Sequence, residues 1–185
     1  MIGFWIFLAV VVVAALAVIA SYNRFVRQRN LVQESWRQID VELTRRHDLV
    51  PNLVETVKGY AAHERQTLEA VTAARAAAAA TGSGPAAQAA QENALSGALR
   101  QLFAVAESYP DLKASANFLD LQRQLAETED RIAAGRRFYN GNVRALNTRV
   151  EAFPSSVVGK TFGFVKAEYF TADDPGVRAT PTVSF

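Results

Sequence analysis

Side chains able to do proton, metal or nucleophile chemistry are few in this chain. His47 and His63 are its two imidazoles, and it has no cysteine. That removes thiolate nucleophiles, thiolate zinc sites and disulfides together. His63-Glu64 opens like the helical zinc motif H-E-x-x-H, where two imidazoles one turn apart hold the metal beside a glutamate base. Thr67 stands where the second imidazole belongs, so the two residues read as a surface or seam pair. Gly82-Ser83-Gly84-Pro85 lacks the lysine of a phosphate loop, and no G-x-S-x-G occurs. The sequence therefore assigns no catalytic, cofactor-binding or metal residue, and implies a protein that is not an enzyme.

A second polar set runs close to apolar stripes: Asp40, Arg45, Arg46, Asn52, Glu64, Asn117, Glu129, Arg136, Asn140 and Asn147. Most are expected on solvated helix faces. The sharper expectation is that some form paired polar layers inside a bundle, where a buried charge needs a partner and can fix helix register. Glu129 and Arg136, one heptad apart, are placed to meet opposite charges from the first helix.

The elements that must position these residues begin with an apolar run, Ile2 to Ala20, which the first charge, Arg24, follows. As a helix it would extend about 28 Å, the thickness of a bilayer's hydrocarbon core. It reads as a retained membrane anchor contacting lipid through residues 2–20. No Lys or Arg precedes it and it exceeds a signal-peptide core, although cleavage after Ala20 is an alternative. Arg24, Arg27 and Arg29 place the following domain in the cytoplasm and the short N-terminus outside. The same arginines, with Arg37, have a second reading as contacts to anionic lipid, which Glu34 and Asp40 dilute.

From Val32 an apolar stripe continues through Trp36, Ile39, Leu43, Val50, Leu53, Val57, Tyr60, Leu68 and Val71 in steps of three and four. Arg46 and Glu64 occupy stripe positions. Pro51 permits either a turn after Asp48 or a kink in one rod of about 50 residues. Thr81-Gly82-Ser83-Gly84-Pro85 reads as a loop. A helix is expected from about Ala86 to Glu107 and a longer one from about Lys113 to Ala152, with Gly135 allowing close helix approach. Phe162, Phe164, Tyr169 and Phe170 are expected to pack over one end of the bundle. The resulting division is an anchor over 1–21, a bundle over 22–172 and a flexible tail over 173–185. The fold class is all-α, a transmembrane helix followed by an up-and-down bundle of long helices. With 20 basic and 18 acidic residues there is no concentrated basic face for nucleic acid.

Several stretches taken together resemble the LemA family of bacterial membrane proteins. They include Trp36 with Gln38-Ile39-Asp40-Val41, Arg45-Arg46-His47-Asp48-Leu49-Val50-Pro51-Asn52-Leu53-Val54, and Val57-Lys58-Gly59-Tyr60 with His63-Glu64. Ala74-Arg75, Tyr109-Pro110-Asp111-Leu112-Lys113-Ala114, Asn117-Phe118, Thr128-Glu129, Tyr139-Asn140, Asn147 and Phe153-Pro154 extend the likeness to about Phe170. Gly135 departs from it, standing where alanine is expected. The resemblance implies a single span of the bacterial inner membrane, four long helices and a true break near Asp48 to Pro51. It implies no activity and no site residues, and its relatives include proteins linked to magnetosome membranes. The function expected is a membrane-anchored interaction or scaffold protein, homo-oligomeric and with a protein partner still unknown. The alternative is an accessory or client-binding subunit of a membrane protease or stress-response system.

Overall fold

The computed structural model describes residues 1–80 and 84–171. The expected loop at Thr81-Gly82-Ser83 and the expected tail over 173–185 lie outside them. Among the described residues every regular element is helical: α1 Ile2–Lys58, α2 Arg65–Ala78, α3 Pro85–Ala106, α4 Pro110–Lys113, α5 Ala116–Glu151 and α6 Ser155–Thr161. The chain divides into two units, one of Met1–Asp40 with Ala134–Glu168, the other of Val41–Ala133 with the chain from Tyr169. Both α1 and α5 contribute to each.

The unit built on Val41–Ala133 is a four-helix core. Val50, Leu53 and Val57 of α1 meet Leu68 and Val71 of α2, Leu95, Leu99 and Leu102 of α3, and Leu121 and Leu125 of α5. Each such side chain, fully buried, contributes about 1.5–3 kcal/mol. In this unit α1 and α5 run antiparallel, since Arg46 meets Glu129 while Thr56 meets Asn117. Gln88 Nε2 reaches back to the carbonyl of Ala78 and closes the α2–α3 hairpin. Pro110 opens α4, where its missing N–H costs nothing, and Tyr109 donates its hydroxyl to Glu64 at 3.0 Å.

The break expected from the family resemblance at Asp48 to Pro51 does not occur. Pro51 lies inside α1, which continues to Lys58. A proline at this position cannot donate to the carbonyl four residues back, that of His47. Arg75 Nε of α2 donates to that carbonyl instead, at 3.1 Å. The chain turns later, between Gly59 and Glu64, where Tyr60 and Ala61 both donate to the carbonyl of Val57. That turn also ends the one-rod reading short of Ala80 and leaves Tyr60, placed on the stripe, half exposed.

In the other unit α1 and α5 again run antiparallel. A Cβ on Gly135 would sit 3.0 Å from Ile39, so the helices approach closely there, as Gly135 led one to expect. Trp36 packs on Tyr139 and Gln28 donates to the carbonyl of Asn142. Beyond α5 the Phe153-Pro154 bond is cis and α6 follows. Phe164 then stacks on Phe25, centroids 4.7 Å apart, and Arg29 lies over the same Phe164 ring. Asn147 grips Ala167 twice, donating to its carbonyl at 3.0 Å and accepting from its N–H at 2.8 Å. Tyr139 donates to the carbonyl of Glu168, its hydroxyl pushed up to about 12 by burial and then by the nearby Glu168 charge. Every residue through Ala20 is exposed, so the other described residues do not bury the apolar run.

Candidate functional site

Arg46 sits on the buried stripe of α1 between Leu43 and Val50, which carries its guanidinium into the four-helix core, where it is 2 % exposed. Its charge is met there by two carboxylates. One is Glu129 of α5, whose Oε2 accepts from Nη1 at 2.6 Å. The other is Glu92 of α3, 1 % exposed, which accepts from Nη2. Ser96, one turn beyond Glu92, accepts from Nη1 at 3.0 Å. His47 follows Arg46 in sequence and faces Glu92 Oε1 at 2.9 Å, and Gln88 Nε2 donates to the same oxygen at 2.8 Å. A carboxylate oxygen only accepts, so His47 carries its proton on Nε2.

Three helices therefore meet in one charge cluster, α1 through Arg46 and His47, α3 through Glu92 and α5 through Glu129, and α2 joins beside it where Arg75 donates to the His47 carbonyl. Burial alone would raise the Glu92 carboxyl, but the bond from His47 and the Arg46 charge outweigh it and hold the group below its ordinary 4.5. Glu92 thus stays ionised and takes three donors on two oxygens. Such a cluster ties helices together and sets their register, because any other pairing strands a buried charge.

The remaining expected residues fall differently. Asn147 is buried and grips Ala167, as described above. Glu64, partly buried, accepts from Tyr109, and His63 is exposed. Asn117 donates to Thr56 at the surface, Asp40 and Asn52 are exposed, and Arg45, Arg136 and Asn140 are partly buried. Of the Glu129 and Arg136 expectation, Glu129 does meet an opposite charge from α1. Glu92 was not among the expected residues. Its signal was present: stepping back three from Leu95 on the stripe of Leu95, Leu99, Leu102 and Ala106 lands on it. Among the described residues no three His, Asp or Glu side chains form a group able to hold a metal ion.

Among the described residues every regular element is helical and one is long and apolar enough to cross a membrane, which defines an all-helical bundle protein with a candidate span and an internal charged cluster. Within that class the assignment is specific. The model of the LemA family matches residues 35–185, and the chain belongs to that family. It is 28% identical over 200 residues to magnetosome protein MamQ 2 of Paramagnetospirillum magneticum, covering 91% of this chain and 74% of the relative. Protein LemA of Metamycoplasma hominis is 26% identical over 155 residues, with 82% and 69% covered. Magnetosome protein MamQ of Magnetospirillum gryphiswaldense is 26% identical over 192 residues, with 88% and 71% covered. None of these names denotes a reaction.

Proposed function

We propose that this protein is a non-enzymatic interaction or scaffold protein of the bacterial inner membrane that self-associates through helix faces. It is held by an anchor over residues 1–21 and presents a bundle over residues 22–172 to the cytoplasm, with the short N-terminus outside. The observation that carries this reading is the sorting of side chains. Arg46, His47 and Glu92 are paired within the core, while Leu31 and Val41 of α1 and Leu119 and Phe138 of α5 are exposed. Apolar side chains of this kind outside a span are what a helix from a second copy would cover. The orientation is supported by charge. Arg24, Arg27 and Arg29 follow directly on the apolar run, where basic residues favour the cytoplasmic side. By unit, the one that contains the apolar run has ten Lys and Arg against four Asp and Glu, a net of +6, and the other has ten against fourteen, a net of −4. Magnetosome-named relatives support a role in organising a membrane.

Crosslinking in native membranes tests the proposal. Defined oligomers that weaken in Leu31→Ser and Phe138→Ser variants are expected. Monomer alone, with no reproducible partner, would overturn it, and a stoichiometric protease in the detergent extract would select an accessory-subunit role instead.

A further inference from the structure

The segment around α6 joins the end of the apolar run in a way that an anchor alone does not require. An open cavity of about 630 Å³ is lined on one side by Ala17, Val18 and Ser21 and on the other by Val157 and Val158. Ala17 and Val18 are surrounded by lipid if residues 2–20 cross a membrane, so the α6 side of the cavity is continuous with that lipid contact. Along the same segment, four large apolar side chains are exposed: Phe153 at 84%, Val157 at 57%, Phe162 at 50% and Val165 at 76%. The segment is fastened rather than loose. Phe162 and Phe164 pack edge-on against Tyr22, Phe164 stacks on Phe25, and Gly159 lies so close to Phe25 that a Cβ there would sit 3.2 Å from the ring.

Position along α1 sets the depth. Phe25 is five residues past Ala20, about 8 Å along a helix axis. The polar layer on each side of the hydrocarbon core is about 5–8 Å deep. Fastening to Tyr22 and Phe25 thus holds the α6 segment at headgroup level. The charges agree with that location: Lys160, Arg24 and Arg27 are exposed, while Glu151, the acidic residue just before the segment, is paired with Lys166. Basic residues beside a membrane are attracted to its anionic headgroups.

We propose that residues 153–165 form an interfacial foot, seated in the headgroup region of the bilayer that α1 crosses. Val157 and Phe162 reach the acyl boundary, and Lys160 with Arg24 lies among anionic phospholipid phosphates. This rests on the reading of residues 2–20 as a span, and it adds a second, peripheral contact with lipid.

The absence of native cysteine makes the test direct. Single variants Val157→Cys, Phe162→Cys, Val11→Cys in the span and Val41→Cys in the other unit carry a nitroxide label on the full chain, in vesicles of phosphatidylcholine with phosphatidylglycerol. Labels at 157 and 162 should be several-fold less accessible to a water-soluble nickel reagent than the label at 41, and more accessible to oxygen. Water exposure at 157 and 162 equal to that at 41, with 11 in the acyl core, would overturn the foot and leave the span standing. Strong spin–spin coupling between copies at 157 would also overturn it, assigning the patch to a second chain. A water-exposed label at 11 would remove the span itself.

Discussion

Removing the Arg46 guanidinium would strand Glu92, a carboxylate with almost no access to water. Breaking a buried pair in this way costs about 3–5 kcal/mol, so Arg46→Ala should lower the urea midpoint of the full chain in detergent micelles severely. Glu129 sits on the other side of the same guanidinium but is 49% exposed. Solvent screens it, and Glu129→Ala should cost no more than about 1 kcal/mol by the same measurement. Glu92 also sets an acid response. Its folded-state value lies below its ordinary 4.5, so the stability it adds is complete above 4.5 and is lost as pH falls through the folded value. Unfolding midpoints followed below pH 4.5 should therefore fall more steeply in the native protein than in Glu92→Gln. Arg46 and Glu129 were legible because both lie on or beside apolar stripes. Glu92 was masked by its surroundings: Ala86, Ala87, Ala89 and Ala90 make the start of α3 read as an exposed helix, where a glutamate is ordinarily solvated.

At the scale of elements, helix lengths and stripes followed from spacing. The ends of α3 and α5 are set locally, by Pro85 with Gly84 and by Pro154, and fall close to their expected positions. The turn at Pro51 was misplaced for a non-local reason. Whether a proline breaks a helix depends on what satisfies the freed carbonyl, and here that is Arg75, twenty-four residues further on. This makes a double-mutant cycle informative. Arg75→Ala should cost about 1–3 kcal/mol by leaving the His47 carbonyl unmet. Pro51→Ala restores a local N–H, so the same Arg75 change should cost less in that background, with a coupling of at least about 0.5 kcal/mol. Additive costs would show that the two residues do not share the carbonyl. The strap after α6 makes a separate prediction. The Ala167 amide donates to the Asn147 side chain, so Asn147→Ala should speed hydrogen exchange at Ala167 while leaving exchange in α2 and α3 unchanged.

For the molecule as a whole, charge is partitioned between the two units, and near-neutral totals conceal it. A net of +2 reads as balanced until the contributions of +6 and −4 are separated. Only the fold could reveal this, because residues 1–40 and 134–168 come together from the two ends of the sequence. Association with anionic vesicles beyond that due to the span should fall as salt rises above physiological strength, where screening shortens to less than about 8 Å. The other whole-molecule feature is that α1 has no interruption between Ala20 and Arg24. A flexible Gly/Ser insert between Ser21 and Arg24 should leave the helical content intact and weaken self-association; unchanged assembly would reduce the apolar run to a tether. The uninterrupted join has an angular consequence as well. Each alanine inserted after Ser21 would turn everything beyond it by about 100° relative to the span, and seven would return it to within about 20° of the starting phase. Assembly measured against insert length would then oscillate rather than decline, with the heptad insert recovering what a single alanine loses.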